Sequence, residues 1–303
     1  MINPQFSVII PNYNRSSSVR TAVRSVLNQS FKDFELIVVD DKSTDDSLIE
    51  LNKIKDEKLN VYQLEKNSGA ATARNYGANI ARGEFISFLD SDDYYEKDFL
   101  EESYQKLSKT ASNIGFMWTG VRYFTNEGVH EHSWTPIRKK NAYFSLLHNL
   151  QIGSGSGISI KRLAFIECGG FNQNLPAAED TDFFLRFTQE YDYVNSNYIL
   201  VNVVKTGEDR MSKSFGNIAK AYNIFLPQHF KNIDSDDFLK LKYYYKMMWL
   251  NYHLENKTEA RKYYNKIPGK INPGKLKALT TKMLYEFLSL DKASKFHRKI
   301  SSL

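Results

Sequence analysis

The sequence contains one cysteine, Cys168, in 303 residues. A single thiol excludes an internal disulfide and leaves no second thiol for a zinc site built on cysteine. No apolar run approaches the roughly 20 residues that a membrane-spanning helix needs. Residues 1–5 lack the basic segment and apolar core of a signal peptide, so we expect a protein of the reducing cytoplasm.

Net positive charge is confined to the C-terminal end. The net charge is +6, but from Asn251 onward there are twelve Lys and Arg against four Asp and Glu, which gives that end +8 and leaves −2 for the rest. The pI of about 9.0 is therefore a property of the tail. A basic surface confined to one end does not favour nucleic-acid binding by the whole protein, and we expect none.

What the sequence does contain is an ordinary globular composition, with 42% hydrophobic and 25% charged residues. Its first hundred residues alternate short apolar runs with helical patterns. This alternation predicts a parallel sheet covered by helices on both faces. The predicted strands are residues 6–10, 34–39, 61–64 and 85–89, and the predicted helices are residues 19–27, 45–54 and 70–81.

Beyond residue 98 the pattern is less regular, and from about Ser214 it is helical only. The whole pattern predicts an α/β domain at residues 1–212 and a helical region at residues 213–303. Within the first of these we expect helices at 99–107 and 179–191, one or two strands at 114–124, a strand at 198–204, and loops at 125–140 and 153–157. His130 and His132 lie in a polar stretch and are expected to be solvated.

Three carboxylates, Asp90, Asp92 and Asp93, directly follow the predicted strand at residues 85–89. Carboxylates this close repel one another, and a hard divalent cation such as Mg²⁺ or Mn²⁺ is their natural compensation. Open α/β sheets also bind ligands at the carboxyl ends of their strands. The alternative is a solvated acidic turn before the next helix, with Asp98 as the N-cap.

Five sets of motifs occur in an order that is typical of one enzyme family. They are Ser7-Val8-Ile9-Ile10-Pro11-Asn12-Tyr13-Asn14-Arg15, Phe34-Glu35-Leu36-Ile37-Val38-Val39-Asp40-Asp41, Asn67-Ser68-Gly69 with Ala73-Arg74-Asn75, Gly83-Glu84-Phe85 with Asp90-Ser91-Asp92-Asp93, and Gly169-Gly170-Phe171 with Glu179-Asp180. On these motifs the sequence resembles the inverting family 2 glycosyltransferases. The resemblance implies a GT-A fold, a Rossmann-like α/β domain with a mainly parallel central sheet that binds nucleotide sugars.

The resemblance implies transfer of a sugar from a nucleotide-sugar donor, a UDP-sugar first of all, to a saccharide or lipid-linked saccharide. It places the reaction in bacterial surface polysaccharide assembly. A divalent metal, Mn²⁺ or Mg²⁺, would neutralise the charge that develops on the leaving diphosphate. Asp92 is the implied metal ligand, and Asp90 the implied ribose contact or second ligand. Asp93 either supports those ligands or caps the next helix.

The nucleotide pocket is implied by matches earlier in the chain. Asp41 resembles the carboxylate that recognises the base, and Pro11 and Tyr13 resemble the pocket wall beside the base and ribose. From the residues alone, Asp41 could also form an Asx turn before Ser43. Arg74 resembles a diphosphate contact, with an ion pair on its own helix as the alternative. Asn75 is expected to be structural.

Asp180 matches the family's catalytic base, which removes the proton from the acceptor hydroxyl as that hydroxyl attacks. Glu179 is adjacent, and neighbours on a helix do not share a face, so only one acid is expected at the reaction centre. We assign Glu179 to substrate binding. The alternative for both is a helix N-terminus, where the macrodipole favours acids.

Diphosphate ligands after the last core strand are harder to assign, because Gly207-Glu208-Asp209 interrupts the family pattern there. The candidates are Lys205, Arg210, Ser212 and Ser214. Two other functions also stay open. A sugar-phosphate nucleotidyltransferase usually has a Gly-rich basic loop after the first strand, which this sequence lacks. A non-catalytic nucleotide-sugar-binding or scaffold protein is disfavoured because both Asp92 and Asp180 are present.

The basic tail has a helical pattern of its own. Its apolar residues recur every three or four positions: Leu276, Leu279, Met283, Phe287, Leu290, Ala293, Phe296 and Ile300. Lysines and arginines largely flank this stripe. The pattern predicts either a helix packed on the main domain with a solvated basic edge, or a peripheral contact with the anionic inner face of the cell membrane.

Overall fold

The computed structural model describes residues 3–136, 141–149, 155–205, 215–268 and 273–287. The chain divides into two compact units, which we describe separately. The first unit comprises Met1–Gln173 and Asp180–Gly207, and the second comprises Asn174–Glu179 and Glu208–Leu303.

The first unit contains nine strands and seven helices in its described residues. The strands are β1 (Phe6–Asn12), β2 (Phe34–Asp40), β3 (Leu59–Gln63), β4 (Phe85–Phe88), β5 (Tyr94–Tyr95), β6 (Ile114–Thr125), β7 (His130–Trp134), β8 (Ile158–Lys161) and β9 (Asp192–Lys205). The helices are α1 (Val19–Leu27), α2 (Ser47–Asn52), α3 (Ala70–Ile80), α4 (Phe99–Leu107), α5 (Ala142–Asn149), α6 (Arg162–Glu167) and α7 (Glu179–Phe187).

All nine strands belong to one sheet, in the order β3-β2-β1-β4-β8-β6-β9-β5, with β7 paired to β6. The first four strands are parallel to one another, as predicted. Strand β8 is antiparallel to both of its neighbours, β4 and β6. The second half of the sheet is therefore mixed, while the carboxyl ends of β1, β2 and β4 lie at one edge.

The core of the sheet follows from the apolar runs in the sequence. Every residue of β1 and β2 is buried, as expected for parallel strands covered on both faces. Helix α1 buries Val19, Ala22, Val23 and Val26, the apolar stripe that its sequence predicts. Helix α4 has the predicted bounds, although the side chain of its N-cap, Asp98, forms no capping hydrogen bond.

Three predictions for the middle of the chain are wrong in detail. The expected loop at 125–140 contains strand β7, which the sequence pattern misses because it is an exposed polar strand without apolar alternation. Helix α7 ends at Phe187, four residues earlier than expected, and β9 begins at Asp192 rather than at residue 198. His130 and His132 are exposed on β7, in agreement with the expectation that they are solvated.

The described part of the second unit after residue 214 is helical, as predicted. Its helices are α8 (Phe215–Phe225), α9 (Phe230–Ile233), α10 (Asp237–His253), α11 (Lys257–Lys266) and α12 (Pro273–Phe287), and a 3₁₀ turn, Leu226–His229, joins α8 to α9. Helix α10 is central and contacts α8, α11 and α12. None of the helices in the described ranges is long and apolar enough to cross a membrane.

Helix α12 does not bury the apolar stripe that the sequence predicts. Ala278, Thr281 and Tyr285 are buried, whereas Leu279 and Met283 have exposed fractions of 40% and 54%. The buried face is selected by polar partners, since the hydroxyl of Thr281 lies 3.0 Å from that of Tyr245 on α10. The predicted continuation of the stripe, from Leu290 to Ile300, lies outside the described residues.

The backbone at Gly83, just before β4, packs closely against the backbone of Ser7 in β1. Gly83 donates its N–H to Ser7 Oγ at 2.9 Å, and Ser7 Oγ in turn donates to Glu35 at 2.6 Å. A Cβ atom at Gly83 would lie 2.5 Å from the backbone nitrogen of Ser7. Because backbone atoms cannot move aside as a flexible side chain can, only glycine fits at this position.

We therefore expect Gly83→Ala to lower the free energy of unfolding by about 1–3 kcal/mol, the usual cost of overpacking. Urea denaturation followed by circular dichroism measures the change. Gly216→Ala is the control, because no atom lies within 4 Å of a Cβ at Gly216 in helix α8. The control should lose no stability and gain at most about 1 kcal/mol; equal stability of the two variants would contradict the close approach.

Candidate active site

Two adjacent carboxylates end strand β2, and they have different partners. Asp40 is fully buried and accepts hydrogen bonds from Asn12 Nδ2 at 2.8 Å, Ser43 N at 2.9 Å and Gln63 Nε2 at 3.1 Å. Asp40 therefore forms the Asx turn before Ser43 that the sequence analysis considered for Asp41. This carboxylate holds the ends of β1, β2 and β3 together.

Asp41 instead binds the loop that leads into helix α3. Its Oδ1 accepts the N–H of Ser68 and its Oδ2 accepts the N–H of Gly69, both at 2.7 Å. Gly69 has φ +89°, a conformation that favours glycine. Near this edge, Pro11 is buried within β1, and Tyr13 just beyond the strand is 42% exposed. The structure thus places all three predicted nucleotide-pocket residues at or beside the carboxyl ends of β1 and β2.

The acidic motif after β4 forms two ion pairs with arginines. Arg74 Nη2 lies 2.6 Å from Asp90 Oδ1, and Arg15 Nε lies 3.4 Å from Asp92 Oδ2. Arg74 thus pairs with an acid outside its own helix, and its contact with a diphosphate stays a prediction. Arg15 is a residue to which the sequence analysis gave no role. Its position in the first family motif was the only signal available.

Asp93, the third acid, is buried beneath this edge. It accepts hydrogen bonds from Ser156 Oγ at 2.8 Å and from the backbone N–H of Val204 at 3.2 Å. Burial, together with the charges of Asp90 and Asp92, raises the pKa of Asp93 well above its ordinary value. Of the two roles expected for Asp93, this geometry favours support of the neighbouring acids over helix capping.

Ser156 connects two parts of the acidic motif, because it also accepts the N–H of Asp90 at 3.1 Å. It belongs to the glycine–serine stretch at 153–157, for which the sequence predicts a loop. The described part of that stretch, Gly155–Gly157, is a 3₁₀ turn. Nothing in the local pattern signals this contact, which joins residues far apart in the sequence.

The donor atoms at this edge fit a divalent cation that also binds phosphate. Asp90 and Asp92 offer hard oxygen ligands, and their side chains are 39% and 20% exposed. No group of three potential metal-ligating side chains occurs within the described ranges. Mg²⁺ and related cations are often bound through one or two carboxylates and completed by substrate phosphates, so two accessible carboxylates suffice.

The turn at Gly169-Gly170-Phe171 is held by helix α3. Asn75 Nδ2 donates to the carbonyl oxygen of Phe171 at 2.8 Å, and Asn75 Oδ1 accepts the N–H of Phe171 at 3.0 Å. Gly169 and Gly170 have φ values of +78° and +62°, and a Cβ at Gly170 would lie 2.7 Å from Asn75 Oδ1. The structural role expected for Asn75 agrees with these contacts.

Helix α7 holds the same turn from the other side. Arg186 donates to the carbonyl oxygens of Cys168 at 2.6 Å and Gly170 at 2.7 Å, and it pairs with Asp182 at 2.9 Å. The family motifs assign no role to either residue of this ion pair, although their spacing of four on a helix is a detectable signal.

Asp180 and Glu179, the two predicted acids, occupy the first turn of α7, and both are half-buried. Asp180 Oδ1 accepts the N–H of Thr181 at 2.6 Å. The structure therefore connects Asp180, through α7 and the Gly169–Phe171 turn, to helix α3, which carries Arg74. Of the expected diphosphate ligands, Arg210, Ser212, Ser214 and the side chain of Lys205 lie outside the described residues.

Two solved structures resemble this fold. The S. aureus protein TarS, in a structure of residues 1–349 with UDP-GlcNAc, has a TM-score of 0.64 at 18% identity, covering 97% of this chain and 89% of that one. The mannosyltransferase PcManGT from Pyrobaculum calidifontis, solved with GDP-Man and Mn²⁺, has a TM-score of 0.57 at 17% identity, covering 98% and 84%. Both confirm the GT-A architecture, a mixed α/β sheet with C-terminal helices.

Three curated relatives share parts of the sequence. The putative teichuronic acid biosynthesis glycosyltransferase TuaG of Bacillus subtilis is 39% identical over 153 residues, which are 50% of this chain and 60% of that protein. An uncharacterized glycosyltransferase of Haemophilus influenzae is 31% identical over 223 residues, 70% and 85% of the two chains. The third is UDP-Glc:alpha-D-GlcNAc-diphosphoundecaprenol beta-1,3-glucosyltransferase WfgD of Escherichia coli, 34% identical over 147 residues, 48% and 56% of the two chains.

The chain spans about 60% of the length of the first curated relatives that it matches, with coverage of 60% and 62%. The model of the family "Glycosyl transferase family 2" matches residues 7–169, which include the motifs at Asp41, Arg74 and Asp90–Asp93. This match covers more than half of the chain and all but the last of the motifs on which the resemblance was based. The chain belongs to glycosyl transferase family 2.

Proposed function

We propose that this protein transfers a sugar, with inversion, from a nucleotide-sugar donor to a glycan or lipid-linked acceptor of bacterial surface polysaccharide synthesis. The donor that we propose is a UDP-sugar. One observation carries the proposal: at the end of β4, the accessible carboxylates of Asp90 and Asp92 lie beside Arg74 and Arg15. This combination suits a metal-bound diphosphate. The names of the relatives TuaG and WfgD support the acceptor class.

Asp92, with Asp90 as ribose contact or second ligand, would hold Mn²⁺ or Mg²⁺. When bound, the cation supplies electrostatic stabilisation of the leaving diphosphate. Arg74 contributes a second source of positive charge beside the same carboxylates. Asp93 and Ser156 fix the backbone of the acidic motif, so the two ligands are oriented before any ligand arrives.

The nucleotide base would lie at the ends of β1 and β2. Two backbone N–H groups hold the Asp41 carboxylate, and each of its oxygens keeps a lone pair that can accept the imide N–H of uracil. The exposed ring of Tyr13 and the buried Pro11 would form the wall beside the base and ribose. A fixed acceptor of this kind favours a base that carries a donor at the matching position.

Asp180 would act as the general base for the acceptor hydroxyl, and Glu179 would contact the substrate. The GT-A domain would comprise residues 1–212 and the helical region residues 213–303. We place the protein in the cytoplasm, with the exposed Leu279 and Met283 of α12 and the basic tail in contact with the inner face of the cell membrane. A lipid-linked acceptor would be reached most directly from that position.

Asp92→Asn should reduce turnover at least about a hundredfold, because the amide lacks the charge that binds the cation. It should also remove the thermal stabilisation that Mn²⁺ and a nucleotide sugar give together, since a ligand that binds only the folded state raises stability by mass action. A panel of nucleotide sugars, read by thermal unfolding and by release of the nucleoside diphosphate, measures both effects.

Asp98→Asn is the matched control for Asp92→Asn, because Asp98 is an exposed acid six residues away whose side chain makes no capping hydrogen bond. It should behave as the wild type. If Asp92→Asn keeps the wild-type rate and metal response, the metal assignment is wrong. If the wild type binds a nucleotide sugar but never turns it over, the protein is a non-catalytic binding protein.

Asp180→Asn should lose about 10²- to 10⁴-fold in kcat while its affinity for the donor stays unchanged, because the amide cannot accept the proton. Steady-state kinetics and donor titration separate the two effects. Glu179→Gln is the critical comparison, since the two acids are adjacent in α7, and Glu190→Gln controls for loss of an exposed acid near the end of that helix. If kcat of Asp180→Asn falls by less than about tenfold, Asp180 is not the general base, and Glu179 becomes the first candidate for that role.

The membrane contact predicts that the full chain co-sediments with vesicles of anionic lipid, less so at high salt, and that deletion of residues 274–303 abolishes binding. The double variant Leu279→Ser/Met283→Ser should bind the vesicles about tenfold more weakly or worse, because each substitution removes an apolar side chain that would be buried in the membrane interface. Ile49→Ser is the control, since Ile49 is 55% exposed in the first unit. Equal binding by the truncated chain, or none by the full chain, would reject the contact.

A further inference from the structure

The ring of Phe171 lies at the centre of an aromatic cluster beneath the acidic motif. Phe171 is 6% exposed, and its ring centre lies 5.3 Å from that of Phe88, 5.4 Å from that of Phe165 and 5.0 Å from that of Phe183. These three rings belong to β4, α6 and α7. Because Phe88 is two residues before Asp90, the Phe171 ring contacts β4 just where the acidic motif begins.

The guanidinium group of Arg74 lies over the same ring. Arg74 Cζ is 5.7 Å from the centre of the Phe171 ring, which is within the range of a cation–π contact. The Arg74 side chain is only 13% exposed, and such a contact is stronger where water is largely excluded. Arg74 therefore has two partners of different kinds, the Phe171 ring and the Asp90 carboxylate, which lies 2.6 Å from its Nη2.

These two partners differ in what they leave available to a ligand. The ion pair occupies an N–H donor of Arg74 and an oxygen of Asp90, which is itself a candidate for the ribose or the metal. The Phe171 ring attracts the positive charge and has no oxygen that accepts a hydrogen bond. The ring therefore does not compete with a phosphate for the N–H donors, and it can hold Arg74 while Asp90 binds another group.

The backbone of Phe171 is fixed as well as its ring. Its N–H and its carbonyl oxygen both form hydrogen bonds with Asn75, at 3.0 Å and 2.8 Å. The carbonyl oxygen of Gly170, the preceding residue, accepts from Arg186 at 2.7 Å. Since Asn75 follows Arg74 in α3, the helix that carries the guanidinium also binds the backbone of the residue whose ring lies beneath it.

We propose that Phe171 is a positioning residue for Arg74, and that its ring holds the guanidinium group beside the end of β4 in the orientation that a diphosphate needs. A side chain ordered in advance spares the ligand the cost of ordering it on binding. The positioning of Arg74 follows from the contacts of Phe171. The nature of the ligand, a nucleoside diphosphate, rests on the proposed function.

The first test measures the motion of Arg74 by NMR in the ligand-free full chain labelled with ¹⁵N-arginine. The Nε–H resonance of Arg74 is assigned by its loss in Arg74→Lys. In Phe171→Leu its order parameter should fall from about 0.85, typical of a rigid N–H, to below about 0.6. Phe165→Leu is the matched control, because Phe165 is buried in the same cluster and, within the described ranges, no cation lies over its ring. An unchanged Arg74 in Phe171→Leu, or an equal loss of order in both variants, overturns the proposal.

Fluorinated phenylalanines separate the charge distribution of the ring from its packing. Replacement of Phe171 by 3,5-difluorophenylalanine and then by pentafluorophenylalanine keeps a ring in place but weakens the negative face that attracts a cation. The affinity for UDP with Mn²⁺, measured by calorimetry, should fall stepwise by about three- to tenfold in total, the usual cost of ordering one long side chain. The same replacements at Phe165 should leave the affinity unchanged. Equal losses at the two positions would indicate packing alone and contradict the proposal.

A double-mutant cycle separates the positioning role from the proposed function. Arg74→Gln should weaken the binding of UDP, and adding Phe171→Leu should then cost little more, because the ring acts through Arg74. Fully additive losses would mean that Phe171 acts independently of Arg74 and would overturn the proposal. If Arg74→Gln binds UDP as the wild type does while Phe171→Leu still loosens Arg74, the positioning role holds and the diphosphate contact of Arg74 is wrong. The NMR test needs no ligand, so it decides the positioning role whichever nucleotide binds.

Discussion

The arrangement of the site depends on one contact, in which the Asn75 side chain forms hydrogen bonds with both the N–H and the carbonyl oxygen of Phe171. This contact fixes helix α3 against the Gly169–Phe171 turn, and Arg186 fixes helix α7 against the same turn. Arg74, next to Asn75 on the same helix, pairs with Asp90. Asp180 in α7 and Arg74 in α3 are therefore connected through the same turn, and neither glycine of that turn can gain a side chain without strain.

A second constraint is the burial of Asp93 beneath the two exposed acids. Burial and the charges of Asp90 and Asp92 raise the pKa of Asp93 well above its ordinary value. Ser156 donates a hydrogen bond to Asp93 and accepts one from the backbone N–H of Asp90. Because Ser156 lies just before β8, its hydroxyl connects the acidic motif to the start of that strand. The reversed direction of β8 is what brings Ser156 to the end of β4. The mixed half of the sheet thus has a direct consequence for the site.

The sequence was informative wherever a local pattern determines the structure. The apolar runs predict β1, β2 and β4, and the periodicity of α4 predicts its bounds. The family motifs place Asp41, Asp90 and Asp92 at the ends of strands, where the structure has them. The polar strand β7, the reversal of β8 and the contacts of Arg15 and Ser156 were not predictable, because they depend on residues far apart in the chain. Helix α12 also buries Ala278, Thr281 and Tyr285 against its neighbours. The more hydrophobic Leu279 and Met283, which periodicity alone would bury, are exposed.

The pairing of Arg15 and Arg74 with the acidic motif has a consequence for the approach of a ligand. Three neighbouring acids would normally surround the site with a negative potential that slows the encounter with a nucleotide diphosphate. Here Asp90 and Asp92 each pair with a guanidinium group, so neighbouring positive charge offsets two of the three carboxylates. The two ion pairs therefore lower the electrostatic barrier that a diffusing polyanion meets at this edge, and the rate of encounter should depend less on ionic strength than it would without Arg15 and Arg74.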